Sequence, residues 1–281
     1  MTTDAAPDAF TAAWWHDAGG GVWVEHQALL DRINQPVGDI VAGTADPGPG
    51  ARVLDIGCGA GATTLDMARR VGPTGRAVGV DVSDALLALA RERARAEAVV
   101  NADFVRADAT THDFGGPPFD AAISRYGVMF FEDPDAAFAN LRRALRPAAG
   151  LTFACWRRAA ENPLALVPLE AAAPLLPEPP PAPADGPGRF AFADPDRVRG
   201  ILDRSGWRQV AIEPLDVATP VSFDELLTLS LKLGLLGTLL PRYDEAVRKR
   251  VAEAVAARLE TCVEDGVVPM TAACWLVTAR A

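Results

Sequence analysis

The stretch VLDIGCGAGATT, residues 53–64, sets three glycines at alternate positions, Gly57, Gly59 and Gly61, directly behind an apolar run that carries one acid, Asp55. Glycine costs backbone entropy in regular structure, so this density between a β-rich run and a helical one marks a turn whose backbone takes left-handed angles or stands bare against something. A strand that passes through such a turn into a helix is the opening unit of a parallel sheet covered by helices. The same bareness lets backbone N–H groups and a helix N-terminus approach a ligand with no Cβ in the way.

The residues from 51 to 156 repeat that alternation. RVLDIG (52–57) reads as a first strand and GATTLDMARRVG (61–72) as a helix with Leu65, Ala68 and Val71 on one side and Gly72 at its end. AVGVDVS (77–83) is a second strand. Ser83 suits the N-cap of the helix DALLALARERARAEA (84–98), in which Leu86, Leu89 and Ala90 supply a buried stripe. ADFVRAD (102–108), FDAAISRYG (119–127) and GLTFACW (150–156) are further strands. Between the last two, Asp133 as N-cap and Pro134 at the first helical position open a helix carrying Phe138, Leu141 and Leu145, and Pro147 stops it.

After Trp156 the texture changes, because ten of the 23 prolines fall between 163 and 195 and PEPPPAPADGPG (177–188) suits neither a helix nor a central strand. Four regions are therefore expected: an N-terminal helical segment or lid at 1–50, a ligand-binding core at 51–156, a proline-rich lid or linker at 157–194, and a C-terminal half at 195–281. In that last region DPDRVRGILDRSG repeats the Asp-Pro helix opening with Val198, Ile201 and Leu202 on one face. WRQVAIEPLDV and AACWLVTAR read as strands, and the helical stretches between them, 222–240 and 242–262, form either a cap over a pocket or a homodimer face.

A chain of 281 residues, 49% apolar, is long enough to bury about three quarters of its unfolded surface. Its 27 Lys and Arg against 37 Asp and Glu give a net charge of -10, which repels phosphate backbones and anionic lipid, so neither nucleic acid nor a membrane surface is an expected partner. No basic start leads into an apolar core segment and no window holds eighteen uninterrupted apolar residues, so a cytoplasmic location is expected. Cys58, Cys155, Cys262 and Cys274 form no paired motif, which favours reduced thiols and no metal.

Three carboxylates sharpen the glycine signal, which alone also fits a dinucleotide binder, since Gly57, Gly59 and Ala62 satisfy G-x-G-x-x-G/A. Asp55, Asp81 and Asp108 each fall at or just after the end of a successive strand, where open parallel sheets bind ligands. Asp55, close to where a pyrophosphate would sit, is a poor neighbour for an anion and a good one for a cation. Asp81 is placed to accept both ribose hydroxyls and Asp108 to accept from an exocyclic amine, with the Ala109 N–H available to the ring. A nucleoside that carries an amino acid and a cationic centre, S-adenosyl-L-methionine, fits this set.

VLDIGCGAG, GVDVS, RADAT, FDAAISRYGVMFFEDP and LRRALRPAAGLTFACW occur in an order and spacing that resembles the class I S-adenosylmethionine-dependent methyltransferases, on the branch related to the ubiquinone/menaquinone-biosynthesis enzymes. The likeness is strong over about 50–156 and looser over 195–281. It implies an α/β fold: a doubly wound, mostly parallel seven-stranded sheet of order 3-2-1-4-5-7-6 with strand seven antiparallel, helices on both faces and a lid insertion. By position it implies that Asp55 and Gly57 face the methionine amino group, with Gly59 and Gly61 completing the bare loop. It further implies that Asp81 holds the ribose, Val82 packs on the adenine, Asp108 and Ala109 read the base edge, and Ser124 offers its backbone carbonyl to the methionine ammonium. RPAAG stands where that family has Pro-Gly-Gly.

The fourth strand ends in Ser124, Arg125 and Tyr126, neither the Asn/Asp-Pro-Pro-aromatic run of enzymes that methylate base amines nor the acid of metal-dependent catechol enzymes. A small organic methyl acceptor remains. Transfer from a sulfonium rests mainly on positioning, and a base is needed only if the acceptor must lose a proton. His112, His26 and Arg125 are the candidates for such a role, with no catalytic residue assigned. His16 and His26 lie in AWWHDAGGGVWVEHQALL, whose Trp14, Trp15 and Trp23 either pack the segment onto the sheet or close it over the cofactor. Two rivals stay open: a nicotinamide-dependent oxidoreductase, and an S-adenosylmethionine binder that performs no methyl transfer.

Overall fold

The computed structural model describes residues 14–15, 20–178 and 186–281. Helices α1 (Gly20–Glu25) and α2 (Gln27–Ala45) precede β1 (Arg52–Ile56), α3 (Ala62–Val71), β2 (Arg76–Asp81), α4 (Asp84–Ala96), β3 (Ala102–Arg106) and β4 (Phe119–Arg125). Then come α5 (Pro134–Ala144), β5 (Leu145–Trp156), α6 (Val167–Ala172), α7 (Pro195–Arg204) and β6 (Arg208–Ala218). Helices α8 (Phe223–Lys232), α9 (Gly234–Leu239) and α10 (Glu245–Glu260) lead to β7 (Thr271–Arg280). The seven strands form one sheet of order β3-β2-β1-β4-β5-β7-β6. β1 to β5 pair in parallel, and β7 is antiparallel to both β5 and β6. The doubly wound order with an antiparallel seventh strand is the one the family resemblance implies.

Each face of the sheet is buried by helices whose apolar residues recur at helical spacing. On one face Phe138 and Leu141 of α5 and Val198, Ile201 and Leu202 of α7 close over β1, β4 and β5. On the other, Val37 and Val41 of α2, Met67 and Val71 of α3, and Leu87 and Ala90 of α4 do the same. Asp133 caps α5 by accepting from the Ala136 N–H and Asp194 caps α7 by accepting from Asp196, so both Asp-Pro signals open helices.

Four local readings need correction. Leu87, not Leu89, is the buried leucine beside Ala90, because the helix turns Leu87, Ala90 and Ala94 toward the sheet while Leu86 faces the Trp14 and Trp15 side. Ser83 has the N-cap position but not its bond, since its buried hydroxyl finds no partner. Pro147 does not stop α5: the helix ends at Ala144 and β5 begins at Leu145, so Pro147 lies within the strand's irregular start. The 222–240 stretch breaks at Leu233, where Gly234 takes φ +70°, into α8 and α9.

A third apolar cluster gathers three distant stretches of chain. Leu30 and Ile33 of α2, Val167 and Ala172 of α6, and the inner faces of α8, α9 and α10 pack together. β6 is antiparallel to β7 and β7 to β5, so β6 runs parallel to β5 and the β6–β7 insertion leaves the sheet at the C-terminal rim of the strands. This cluster is a cap on that rim. Among the described residues no helix is long and apolar enough to cross a membrane.

At the same rim the turns after β1 and β4 touch through bare backbone. A Cβ on Gly57 would lie 2.6 Å from the Gly127 Cα, and one on Gly127 would lie 2.5 Å from the Ile56 carbonyl oxygen and 2.7 Å from the Gly57 Cα. Ser124 locks the crossing, donating its hydroxyl to the Ile56 carbonyl (2.7 Å) and accepting from the Gly127 N–H (3.1 Å). Neither turn can retreat without breaking the β1–β4 pairing. Gly127→Ala is therefore expected to lower the urea-unfolding free energy by about 1 to 3 kcal/mol, the usual cost of overpacking. Gly21→Ala, in open space within a helix, should leave it unchanged or higher.

Candidate functional site

The site grows from the β1–α3 turn. Gly57, Gly59 and Gly61 all take positive φ, at 64°, 53° and 82°, which side-chain-bearing residues rarely adopt. Their surroundings differ. A Cβ on Gly61 would strike the Phe104 ring at 2.8 Å and the Ala90 Cβ at 2.9 Å, so its bareness serves helix–strand packing; a Cβ on Gly59 would meet nothing within 4 Å. Gly59 is the point at which the turn presents open backbone.

Two acids organise that turn from within the protein. Asp55 is fully buried: one carboxylate oxygen accepts from the Thr63 and Thr64 hydroxyls, each at 2.6 Å, and the other has no partner. Burial pushes its pKa up, opposed by the two threonine bonds and by the nearby Arg125 charge, while Asp81 adds a further upward push. The Asp81 carboxylate accepts from the Gly59 N–H (2.8 Å) and the Ser83 N–H (2.9 Å), tying the glycine turn to the end of β2. Its pKa is raised by burial too, against the backbone bonds that stabilise the anion. Both carboxylates thus carry charge at a cost that an arriving cation would relieve.

Arg125, the last residue of β4, is largely buried, with one guanidinium nitrogen 3.9 Å from Asp31 of α2 and another unpartnered. Burial lowers its pKa, and Asp31 and Asp55 resist that shift. Asp31 also pairs with Arg93 of α4 at 2.8 Å, and Arg93 donates to the Ala60 carbonyl inside the glycine turn at 2.7 Å. The N-terminal helix is thereby clamped to the turn. Above it Trp14 and Trp15 cluster with Val82, Ala60, Leu86 and Phe130, the Trp15 ring lying edge-on to Trp23 at 5.0 Å and to Phe130 at 5.2 Å. His16 lies outside the described residues.

The remaining expected residues divide. Asp108 is exposed and its carboxylate accepts from the Thr110 N–H at 2.8 Å, while Ala109 is buried in the core. Ser124 is fully buried, its hydroxyl spent on the β1–β4 crossing. His112 lies edge-on to Phe114 at 5.0 Å, and its carbonyl accepts from Asn140, which donates to the Ala109 carbonyl as well. Asn140 is thus the clamp of the β3 loop, a residue the sequence reading missed although an asparagine in mid-helix is itself a signal. His26 is largely buried, with Nε2 3.9 Å from Glu25 and no hydrogen-bond partner. Gly127 and Arg93 were also unassigned. The structure therefore brings Asp55, Asp81, Arg125 and the open glycine together and leaves His112 in loop packing. Among the described residues no group of three or more metal-ligating side chains forms. Cys58, beneath the turn, is held as a neutral thiol, since burial raises its pKa well above the ordinary value.

Residues 53–148 match a family model described as a methyltransferase domain. Over 103 residues the chain is 42% identical to a 2-phytyl-1,4-naphtoquinone methyltransferase from Synechococcus elongatus, covering 36% of this chain and 44% of that one. It is 35% identical over 104 residues to the ubiquinone/menaquinone biosynthesis C-methyltransferase UbiE of Shewanella halifaxensis, covering 37% and 41%. The matches thus span less than half the length of either relative. The fold is similar to that of the [4+2]-cyclase SpnF, with a TM-score of 0.57, 20% identity and coverage of 93% and 94%. With its glycine turn, its strand-end acids and its sheet order, the domain at residues 53–148 belongs to the class I S-adenosylmethionine-dependent methyltransferases, related to the UbiE branch.

Proposed function

We propose that this chain is an enzyme that moves a methyl group from S-adenosylmethionine to an oxygen, nitrogen or carbon of a small, partly apolar organic acceptor. The observation that carries the reading is the pair of costly carboxylates, the fully buried Asp55 and the half-buried Asp81, on either side of the open backbone at Gly59. S-adenosylmethionine, when bound, supplies an electrophilic methyl on a positively charged sulfur. Asp81 has lone pairs left beyond its two backbone bonds and would take the ribose hydroxyls. Asp55 would set the negative potential that favours the methionine ammonium, with its unpartnered oxygen on the far side from Thr63 and Thr64. Val82 would wall the adenine, and Asp108 and the Ala109 N–H would meet its edge.

The rest of the site positions and excludes. Methyl transfer from sulfur proceeds in line, so holding the acceptor atom opposite the sulfur supplies most of the acceleration, and dry surroundings protect the reactive centre. The tryptophan cluster over Val82 and Ala60 would act as the lid. The acceptor would enter from the cap side, where β4 and β5 end. The names of the quinone-methylating relatives point to a conjugated, largely apolar acceptor for this chain as well. Four free thiols suit a reducing compartment, and we place the enzyme in the cytoplasm.

Incubation with S-adenosylmethionine and a panel of apolar conjugated acceptors should release S-adenosylhomocysteine and add about fourteen mass units, one methylene, to one of them; cofactor binding without release under every acceptor would favour a non-transferring binder. Asp81→Ala should weaken cofactor binding by about 1 to 3 kcal/mol in calorimetry, through loss of the hydroxyl acceptor and of the turn's anchor; unchanged affinity removes Asp81 from the site. Deleting residues 1–25 should cut turnover at least about tenfold while the melting temperature moves by no more than about 4 °C. A truncated chain with full turnover disposes of the lid.

Asp55→Asn separates stability from function. The raised pKa means that the folded chain holds this proton more tightly than the unfolded one, whose value is 3.8. The Asp55 contribution to stability is therefore greatest at low pH and falls as pH rises through the folded-state value. Asparagine keeps an acceptor for both threonines without the charge. Thermal melts should show a flatter pH dependence and a higher melting temperature at neutral pH than the parent, together with weaker cofactor binding. An unchanged pH slope would show that Asp55 is ordinary.

A further inference from the structure

Residues 188–193 return across the rim after the proline-rich stretch and are tied down at both ends. The Gly188 N–H donates to the Met129 carbonyl at 3.1 Å, Phe192 is buried between Phe138 and Phe153, and Trp275 donates its indole N–H to the Ala193 carbonyl at 3.0 Å. Between these anchors Arg189 reaches over Trp156, the last residue of β5, with its guanidinium carbon 5.5 Å from the ring centroid. Trp156 is in turn stacked on Tyr126 at 4.9 Å, directly after Arg125 at the end of β4. Arg189 therefore stands at the ends of β5 and β4, and β4 is the neighbour of β1, the strand that carries Asp55.

Its electrostatic situation is unlike that of its neighbours. Arg93 and Arg125 share Asp31, and Arg157 has Glu161 and Asp216. Arg189 has no hydrogen bond and no ion pair among the described residues, in a chain with ten more acids than bases (37 against 27). Arg189 is exposed to solvent, so its guanidinium can be reached from outside. Stacking on an indole accounts for one face of the guanidinium and leaves its edge, with the forked N–H donors, uncommitted.

We propose that Arg189 anchors a carboxylate on the methyl acceptor, a proposal that rests on the methyltransferase reading. A planar fork of donors matches the two oxygens of a carboxylate, and one free cation balances one negative charge. A phosphate dianion would want a second cation with no acid beside it, whereas Arg125 faces Asp31 and Arg157 pairs with Glu161 and Asp216. In a molecule of net charge -10, a single arginine with no acid partner also discriminates, because the net charge of the rest of the molecule disfavours an acidic acceptor.

The test uses the full chain and two probe pairs, 2-naphthoate beside 2-naphthamide and octanoate beside octanamide, titrated by calorimetry with and without S-adenosylhomocysteine. At least one carboxylate should bind at least about tenfold more tightly than its amide, Arg189→Gln should abolish that preference, and Arg189→Lys should restore part of it. S-adenosylhomocysteine affinity should stay within about twofold in both variants, which also reports that they fold. The proposal is overturned if neither carboxylate binds saturably, if each amide binds as well as its acid, or if Arg189→Gln leaves the preference intact. Failure of S-adenosylhomocysteine to bind the parent chain would instead strike the methyltransferase reading, and the probe titrations without it would still decide on the carboxylate site.

Discussion

Keeping the Asp55 carboxylate out of water is the constraint around which the rest of the site is arranged. A buried carboxylate must be hydrogen-bonded or compensated, and here Thr63 and Thr64 at the start of α3 take one oxygen while Arg125 supplies a distant positive charge. The threonines can reach back only because the glycine turn between Ile56 and Ala62 is tight, and the turn is tight because its residues take left-handed angles and because Gly127 lies flat against it. Asp81 adds the second hold, on the Gly59 N–H. The strand end, the helix start and the turn between them therefore form one unit, whose residual imbalance is a shortage of positive charge.

The cap over that unit is assembled from pieces that lie far apart in sequence. The start of α2, the segment after β5 and the β6–β7 helices share a single apolar cluster, distinct from those on the two faces of the sheet. α2 belongs to both worlds: its second half packs on the sheet through Val37 and Val41, and its first half joins the cap through Leu30 and Ile33. Between them Asp31 bridges Arg93 and Arg125, so a displacement of the cap would be felt at the Ala60 carbonyl in the turn. The cap and the glycine turn are thus joined by a short chain of charged contacts.

Much of the core was legible in the sequence. The glycine turn, the strand–helix alternation, the two Asp-Pro helix openings and the acids at strand ends are all local signals, and the structure has each of them in place. The misreadings are local too, and each has a tertiary cause: Leu87 outranks Leu89 because the sheet fixes the rotation of α4, and β5 extends back through Pro147 because Leu145 pairs with Phe119 ahead of a bulge. Other residues gave no local sign of their partners. Gly127 matters only because β4 lies beside β1, and Arg93 only because α4 brings it under α2.

The sequence by itself determined a strand entering a bare turn and a helix, with Asp55 and Asp81 at two strand ends, because periodicity, capping and glycine angles are set within a few residues. The order of the strands came through family likeness, since periodicity does not say which strand lies beside which. The tertiary structure alone decided that Ser124 serves a backbone crossing, that His112 belongs to loop packing and that Arg189 lies over Trp156 with no acid beside it. Those facts depend on distances between residues tens of positions apart, which are set only when helices and sheet bury each other's apolar faces.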